Sequence, residues 1–531
     1  MNTNTDFGET DPIAPRGDEV VSPPSWIGGV VGLSSGIFAV STGLVVSALG
    51  DSQSSFDLVG SSFIDRTPRW LKELAIQAFG TNDKIALEVG MVGALIIASG
   101  VLGLLSRKRL TPLQFGIVGF GILGALSAFE RDGAGFIAVI APLCGIVAGL
   151  FAAHRLHNYL TTQRELSRMP QQSRVPLGWD RRSFIRTVGA MGALSGGGVF
   201  FARSRELARV QQIEGLTKIP LPPLAVGDEL VVPKINFHPT DPYITPNASF
   251  YRIDTALSFP RVDREKWKLR IHGLVEREKF FSMDDLLALP QVERIITLCC
   301  VSNQVGGPLI GNAVWRGVLL KDVLESCGIK KNAQQVFSTS LDGWTSGFPI
   351  TAAMDGRDAL IAIGMNGESL PIMHGYPARL VVPGLYGYVS ATKWLSEINI
   401  TTWAEEEGYW IPRGWSRDAP VKTQSRIDVP RQGESIAAGK FRLAGVAWAQ
   451  HTGIEKVEIR IDRGAWQACD LGVDLTEDAW RQWIFDWDAT EGEHTIQVRS
   501  TDKSGYTQTE EVRRVDPDGA TGWHTRTVIV I

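Results

Sequence analysis

Two adjacent cysteines, Cys299 and Cys300, follow an apolar stretch that predicts a strand over Ile295–Leu298. A loop of serine, asparagine and glycine comes next. A cysteine at a strand end in a polar loop can present a thiolate, which is the form that binds soft metals. The pattern therefore predicts a metal ligand, although a lone buried cysteine is more often a packing residue. The five cysteines of the chain are too sparse for a disulfide framework.

A second group of reactive side chains lies in the stretch Met373–Leu395, where His374, Arg379 and Lys393 surround a predicted strand and a glycine-rich turn. Arginine makes paired contacts to phosphate, and the backbone N–H groups of such a turn can complete an anion site. The grouping therefore predicts an anionic ligand. The alternative is a solvated face, which is the usual explanation of an arginine and a lysine on one strand.

Together these stretches resemble the sulfite-oxidase-like molybdopterin oxidoreductases, over about residues 236–531. Thr297-Leu298-x-Cys300 with its polar loop is similar to the family's molybdenum-cysteine segment, and HGYPARLVVPGLYG followed by KWL is similar to its cofactor-holding segment. The resemblance implies a molybdenum bound by the dithiolene of the pterin and by Cys300. Such a centre moves an oxygen atom and two electrons between substrate and metal.

The resemblance also assigns site residues position by position. Cys300 is the implied molybdenum ligand. Cys300, Tyr386 and Tyr388 are the expected catalytic residues, since the two tyrosines lie in the segment expected to face the metal; a packing role of the tyrosines is the alternative. Cys299 is expected to be a buried bystander that points to the opposite face. The other residues implied at the cofactor, Mo-molybdopterin, are Tyr251, Arg252, Ser302, Asn303, His374, Arg379, Ala391, Thr392 and Lys393.

The substrate and the redox partner stay open at this stage. Sulfite-oxidising members of the family have an arginine in the loop after the ligand cysteine, whereas the loop CVSNQVGG has no cation. Another member reduces oxidised methionine residues, so we expect a sulfite or sulfoxide-type small molecule. No paired haem-binding histidines occur in the apolar runs, and we expect a separate redox partner, a quinone or a cytochrome. A cofactor-free extracytoplasmic binding or sensing module on the same fold is the alternative.

The N-terminal part differs from the rest because it contains long apolar runs. A bilayer core of roughly 30 Å needs about 20 apolar residues. Four runs meet this length, namely Trp26–Leu49, Ile85–Leu105, Leu110–Phe129 and Phe136–Phe151 with its apolar flanks, and a glycine-rich fifth extends over Thr187–Ala202. Basic residues cluster after the second and fourth runs, so the positive-inside rule predicts a cytoplasmic N-terminus and an extracytoplasmic C-terminal half. A transporter role of the four leading runs is a less favoured hypothesis, because they contain almost no charged residue that could line an ion path.

The heptapeptide DRRSFIR, Asp180–Arg186, resembles the twin-arginine export motif, whose pattern is Ser/Thr-Arg-Arg-x-Phe-Leu-Lys. It departs from that pattern at the first position and, conservatively, at the last two. This pathway exports folded proteins, which suits a domain that receives its cofactor in the cytoplasm. A plain basic flank of an ordinary fifth span is the alternative. No A-x-A site precedes Arg203, so we expect the anchor to be retained.

The predicted fold class combines a five-span α-helical membrane region, an α+β domain of sulfite-oxidase type and an Ig-like β-sandwich of about seven strands. The sandwich corresponds to the family's dimerisation domain, which implies a possible homodimer. A net charge of −4 without a basic stripe argues against a nucleic-acid partner. The expected segments are a cytoplasmic tail (1–24), four spans (25–155), a cytoplasmic loop (156–179), the signal with the fifth span (180–203), a linker (204–235), the catalytic domain (236–420) and the sandwich (421–531).

Overall fold

The computed structural model describes residues 24–68, 83–131, 135–166, 181–216, 220–226, 242–260 and 262–531, together with residues 71, 74, 78, 79 and 230. These residues form two compact units. The first comprises the described residues up to Gly60, within Ile85–Glu130 and within Ala134–Arg205, and the second comprises those within Ser61–Lys84 and Arg131–Gly133 and from Glu206 onward. Nearly all of the expected tail, residues 167–179 of the expected loop, Asp180 and parts of the expected linker lie outside the described residues.

Long apolar helices dominate the first unit. Five helices in the described part of the chain are long and apolar enough to cross a membrane, as expected from the sequence. They are α1 (Ile27–Leu49), α3 (Asp83–Leu105), α4 (Thr111–Phe129), α5 (Gly135–Leu166) and α6 (Arg181–Leu216), and the shorter α2 (Ser55–Arg66) follows α1 in sequence. Helix α6 continues into the expected linker because its last turns consist mainly of good helix formers.

Two of the long helices, α1 and α3, pack with their backbones in direct contact. A Cβ atom added to Gly32 would lie 2.0 Å from the Ser99 carbonyl oxygen, and one added to Gly103 would lie 2.2 Å from the Gly28 carbonyl oxygen. Only glycine permits this approach, which is the packing that small residues provide between apolar helices.

An α+β region begins the sheet-containing part of the second unit. Two sheets have the strand orders β2-β1-β10-β5-β6 and β3-β4-β7-β8, and β9 pairs with β7. The strands are β1 (Lys268–Gly273), β2 (Lys279–Ser282), β3 (Val292–Cys299), β4 (Ile310–Leu319), β5 (Gln335–Ser340), β6 (Thr345–Pro349), β7 (Leu360–Met365), β8 (Glu368–Ser369), β9 (Arg379–Val381) and β10 (Leu395–Thr401). The helices are α7 (Met283–Ala288), α8 (Leu320–Cys327), α9 (Ile350–Met354) and α10 (Gly387–Ser390).

Strand β3 leads directly to the paired cysteines. It is buried on both faces, since Ile295 and Cys299 pack into one apolar cluster and Ile296 packs into another. Successive side chains of a strand point to opposite faces, which explains the division between the two clusters. The strand pairs antiparallel with β4, where Cys299 lies opposite Ile310, and the chain leaves the sheet at Cys300.

The C-terminal region is rich in strands, as expected from about Val421 onward. Its two sheets have the orders β11-β13-β17-β16 and β12-β19-β18-β14-β15. The strands are β11 (Gln424–Val429), β12 (Ser435–Ile436), β13 (Gly439–Trp448), β14 (Ile454–Ile461), β15 (Gln467–Ala468), β16 (Asp470–Leu471), β17 (Arg481–Ala489), β18 (Gly492–Asp502) and β19 (His524–Val530). Leu443 and Trp483 of the first sheet share one apolar core with Val457 and Ile496 of the second.

Candidate functional site

The loop after β3 holds Cys300 by backbone hydrogen bonds. The Cys300 N–H donates to the Leu309 carbonyl at 3.0 Å, and the Asn303 N–H donates to the Cys300 carbonyl at 3.0 Å. The side-chain oxygen of Asn303 accepts from the Leu309 N–H at 2.8 Å. Asn303, which was expected at the cofactor, therefore closes the loop that presents the cysteine.

The Cys300 thiol is buried at the start of this loop. Burial raises the pKa of Cys300, while the backbone N–H and the hydroxyl of Ser302, which hydrogen-bond to the sulfur, lower it. A thiol in such surroundings stays protonated unless a metal ion displaces its proton. The two donors of Ser302 are placed to stabilise the thiolate once it forms.

The neighbouring Cys299 is also buried, and its thiol donates to the Cys300 carbonyl at 3.5 Å. Burial and the proximity of Cys300, whose thiolate form would repel a second thiolate, raise the pKa of Cys299 well above its ordinary value. Cys299 therefore remains a thiol, and its bystander role stays a prediction.

Residues of the C-terminal region contact the cysteine loop and the strand that precedes it. Arg426 donates to the Gly307 carbonyl at 3.2 Å, and the Trp480 N–H donates to the Thr297 hydroxyl at 2.8 Å. Gly306 has a φ of +75°, and a Cβ atom there would lie 2.2 Å from the ring of His524. The position of the loop thus depends on strands more than one hundred residues later in the chain.

A row of aromatic rings connects the cysteine loop with the basic residues. The rings of Phe250 and Tyr251 stack with centroids 5.2 Å apart, and Phe250 meets the rings of Trp315 and His374 edge to face. Burial raises the pKa of Tyr251 well above its ordinary value, and the neighbouring cysteines add to this rise. Arg379 acts in the opposite direction. Tyr251 therefore lies within electrostatic range of both the cysteines and Arg379.

Arg379 is a buried cation on β9. Its guanidinium donates to the carbonyls of His374 at 3.0 Å, Leu380 at 3.3 Å and Ala391 at 3.3 Å. No carboxylate pairs with it among the residues that the structure describes. Burial lowers the pKa of Arg379 to about 10, so the group stays charged at neutral pH. A buried cation without a counterion is costly, and an anionic ligand would compensate it.

His374 is a neutral, buried neighbour of this cation. Its Nε2–H donates to the Asn247 carbonyl at 2.8 Å. Burial, together with the positive charges of Arg379, Lys393 and Arg252, lowers the pKa of His374 to about 4 despite that hydrogen bond. In the neutral ring Nδ1 therefore has no proton and can accept a hydrogen bond.

Three further cations surround one buried carboxylate, Asp254. Its Oδ2 lies 2.5 Å from Lys393 Nζ and 2.9 Å from Arg252 Nε, and its Oδ1 contacts Lys84 Nζ. Burial alone would raise the pKa of Asp254, but the three surrounding cations outweigh burial and hold it below its ordinary range. With Arg379, the part of this neighbourhood that the structure describes contains four cations and one carboxylate, an excess of positive charge that favours an anion.

The turn before β10 contains the remaining residues expected at the cofactor. The Thr392 hydroxyl is within 2.8 Å of the hydroxyls of both Ser338 and Ser346, and the Ala391 carbonyl accepts from Arg379. Burial lowers the pKa of Lys393 to about 8, although Asp254 opposes the change. The turn is therefore held by buried hydroxyl groups while its lysine faces the carboxylate.

The two tyrosines of the glycine-rich segment lie in different surroundings. Burial and the proximity of Cys299 raise the pKa of Tyr386 well above its ordinary value, with smaller contributions from Asp518 and Cys300. The Tyr388 hydroxyl donates to the Ser416 carbonyl, and after burial its pKa is raised by aspartates rather than by cysteines. Tyr386 is thus the tyrosine on the cysteine side, although its hydroxyl accepts from the Lys422 N–H at 3.4 Å.

Sequence reasoning missed Phe250, Asp254, Trp315 and Lys84. The first two belong to the stretch ASFYRID, whose tyrosine and arginine are expected at the cofactor. Asp254 follows Arg252 by two residues, a spacing at which the two can pair, but nothing in the local sequence marked the pair as buried. Nothing in the local sequence indicated that Trp315 or Lys84 lies near these residues.

Comparison with known proteins shows which class of protein this chain resembles. Residues 256–410 match the family described as "Oxidoreductase molybdopterin binding domain". The chain is 35% identical over 153 residues to the uncharacterized oxidoreductase YuiH of Bacillus subtilis, and this match covers 29% of this chain and 74% of that protein. It is 29% identical over 291 residues to human mitochondrial sulfite oxidase, and this match covers 46% of this chain and 53% of that protein. The chain thus spans about half the length of this relative.

Among solved structures, the sulfane dehydrogenase SoxCD from Paracoccus pantotrophus matches with a TM-score of 0.48 and 22% identity. That match covers 60% of this chain and 92% of the SoxCD chain.

The family match over residues 256–410 defines a molybdopterin-binding oxidoreductase domain. The chain belongs to the sulfite-oxidase-like family of molybdopterin-dependent oxidoreductases, as the motifs around Cys300 and Arg379 predicted. Its cofactor is molybdopterin, and the residues present fit it in chemistry: Cys300 offers a buried thiol, which suits a soft metal, and Arg379 offers a buried cation that pairs with no carboxylate among the described residues, which suits a phosphate.

Proposed function

We propose that this protein is a membrane-anchored, extracytoplasmic oxidoreductase that transfers an oxygen atom and two electrons at a molybdenum ligated by Cys300. The observation that supports this most directly is the placement of Tyr251, which is within electrostatic range of the Cys300 thiol and of the Arg379 guanidinium. A thiol suited to a soft metal and a cation suited to a phosphate therefore both lie near the same buried tyrosine.

The chain's own residues would hold the cofactor and its charge. Cys300 provides the thiolate ligand, and the Ser302 donors stabilise that thiolate. Arg379, Arg252 and Lys393 offer positive charge to the phosphate. When bound, the molybdenum cofactor supplies the two-electron capacity of the reaction, and the protein supplies orientation and electrostatics.

The neutral His374 can donate one hydrogen bond and accept another without adding charge. This property suits a position beside the polar edge of the pterin, where both donors and acceptors are needed.

The substrate is proposed to be a sulfite or sulfoxide-type small molecule. The loop over Val301–Leu309 contains no charged residue, and Arg426, which donates to it, is paired with Asp428 at 2.5 Å. A sulfite anion would benefit from an unpaired cation, whereas a neutral sulfoxide would not require one. Oxidation of sulfite by ferricyanide and reduction of methionine sulfoxide by a reduced viologen dye would separate the two classes.

The proposed topology has a cytoplasmic N-terminus and a catalytic domain on the outer side. The basic residues after the second and fourth apolar helices support it. Asp65 and Arg131, from the segments after the first and third helices, belong to the same compact unit as the catalytic domain. Within that unit the Asp65 carboxylate accepts from Arg131 at 2.8 Å and from the Tyr409 hydroxyl at 2.7 Å. Both segments would then lie on the side of the catalytic domain.

The remaining parts of the proposal concern export and partners. The twin-arginine motif would export the domain after it has folded around its cofactor, and α6 would remain as an anchor in the bilayer. The two sheets of residues 421–531 share one core, which supports an Ig-like sandwich. A homodimer is proposed only because the sandwich resembles the family's dimerisation domain. A separate quinone or cytochrome would exchange electrons with the site.

The deciding experiment is metal analysis and an absorption spectrum of the full-length protein, purified in detergent from a host that makes molybdopterin. Cys300→Ser is the test variant, and Cys327→Ser, which changes another buried cysteine on α8, is the matched control. We expect near one molybdenum per chain and a thiolate-to-metal band that only Cys300→Ser abolishes. A folded wild-type protein without molybdenum would instead favour a cofactor-free binding or sensing module.

A further inference from the structure

Asp254 lies among the cations assigned above to the cofactor. Its carboxylate is buried, with a relative side-chain exposure of 5%. Its Oδ2 atom accepts from both Arg252 and Lys393, at 2.9 Å and 2.5 Å. Because a carboxylate and a phosphate attract the same donors, Asp254 competes with the cofactor for these two cations.

The second oxygen of this carboxylate has a different partner. Oδ1 contacts the ammonium of Lys84, which also donates to the Ala256 carbonyl at 2.6 Å. Lys84 precedes Asp254 by 170 residues but belongs to the same compact unit. It lies far outside the matched domain, which begins at residue 256.

We propose that Lys84 is a positioning residue for the molybdopterin site. It binds and neutralises the Oδ1 side of Asp254, so that Arg252 and Lys393 can turn their charge toward the cofactor. This inference rests on the proposed function, because it requires that these two cations hold the cofactor's phosphate. The cofactor site then depends on a residue from the first turn of α3, the second of the long apolar helices.

Charge counting supports this role. With Lys84 present, Asp254 is shared by three cations, and the group has a net charge of +2. Without Lys84 the net charge falls to +1, and among the described residues the carboxylate keeps Arg252 and Lys393 as counterions. Solvent and salt screen buried charges only weakly. The loss of one positive charge would therefore weaken the attraction between these two cations and a phosphate bound to them.

The test compares retention of the cofactor in the full-length protein purified in detergent. The rate of pterin release would be followed by the fluorescence of oxidised pterin in successive filtrates, and molybdenum would be measured in the retained protein. Lys84→Met is expected to release pterin about tenfold faster, which is the low end for loss of a close charge pair. Lys84→Arg should behave like the wild type, because it keeps the charge.

A second set of variants separates positioning from simple loss of stability. Asp254→Asn removes the competing carboxylate, so the double variant Lys84→Met with Asp254→Asn should release pterin within about twofold of Asp254→Asn alone. Such rescue is the coupling expected when one residue acts only through another. Lys266→Met breaks an exposed lysine–aspartate pair and is the matched control.

The outcomes are distinguishable. A loaded wild type whose release rate is unchanged by Lys84→Met overturns the inference and leaves the proposed function standing. The inference also fails, and the proposed function again stands, if the double variant loses pterin as fast as Lys84→Met alone. A wild type that contains no pterin overturns the proposed function and the inference with it.

Discussion

The guanidinium carbon of Arg379 lies 4.9 Å from the centroid of the Trp315 ring. The ring face stabilises the cation without neutralising it, and the other partners of the guanidinium are backbone carbonyls. Arg379 thus keeps a full charge in a buried place. Trp315 is itself held, because its indole N–H donates to the Ile296 carbonyl at 3.0 Å. The pair fixes a cation at a defined point near β3, the strand that leads to Cys300.

Arg379→Met should change affinity and stability in opposite directions. The cofactor-free protein should keep its free energy of unfolding or gain about 1 kcal/mol, because a buried uncompensated charge is removed. Pterin content should fall at least about tenfold, because the phosphate loses a buried partner. The measurements are thermal unfolding of protein made without molybdopterin and pterin content of protein made with it. Arg379→Lys should retain more pterin than Arg379→Met but less than the wild type, because a lysine lacks the planar fork. Full loading of Arg379→Met would contradict this role.

Ser302→Ala should alter the electronic spectrum of the loaded protein. The substitution removes the hydroxyl donor at the Cys300 sulfur and leaves the backbone N–H in place. A thiolate with fewer hydrogen bonds is a stronger electron donor, so its charge-transfer band should move to lower energy, with little loss of molybdenum. Ser326→Ala, which loses a hydroxyl bonded to the Val323 carbonyl, should leave the band in place. An unmoved band in Ser302→Ala would mean that the hydroxyl does not contact the bound thiolate.

Gly306→Ala should displace the cysteine loop. The residue has a positive φ, and the added Cβ would meet the His524 ring, so we expect a loss of about 2–4 kcal/mol of stability and lower molybdenum content. Gly343→Ala is the matched control, because Gly343 has φ +81° but open space around its Cβ position. The control should lose only the cost of the backbone conformation, about 1 kcal/mol. Equal losses in the two variants would show that contact with His524 is unimportant.

Acid should destabilise the second unit through His374. Its pKa is lowered to about 4, whereas an unfolded histidine titrates near 6.5. The unfolded chain therefore binds more protons between these values, and stability falls as the pH decreases from about 6.5 to 4. The full effect is on the order of 3 kcal/mol. Unfolding of His374→Gln should show a correspondingly weaker dependence on pH over this window. A variant at the partly buried His494, whose pKa is raised by Asp462, should change the pH dependence only above about pH 6.5 and keep the wild-type slope below it. Identical slopes in wild type and His374→Gln would refute the assignment.

The paired arginines of the export motif can be tested by conservative replacement. If the domain crosses the membrane folded, Arg181→Lys with Arg182→Lys should leave it in the cytoplasm, protected from protease added to intact spheroplasts. Arg186→Lys, which restores the usual last residue of the motif, should remain exposed to protease. Export of the double lysine variant at the wild-type level would favour an ordinary fifth span.

Local patterns were sufficient for much of the architecture. The five apolar helices, the strand before Cys300 and the β-rich C-terminal region each depend on the hydrophobicity and period of neighbouring residues, so they could be predicted directly. The family also followed from short motifs, because the residues around Cys300 and Arg379 occur at fixed spacing in sequence. The end of α6 could not be predicted in the same way, because a polar helix that continues beyond an apolar run has no hydrophobic period that marks where it ends.

The arrangement of the site depended on tertiary structure. Tyr386 and Tyr388 are two residues apart and similar in sequence context, yet only packing decides that Tyr386 is electrostatically coupled to the cysteines while Tyr388 bonds to Ser416. Likewise, Asp254 is an ordinary acid in sequence, and its pairing with Lys84 spans 170 residues. The sequence by itself determined which chemical groups are available and which elements they occupy. Only the folded chain decided which charges are buried together, because burial and Coulomb attraction depend on distance in space and not on separation along the chain.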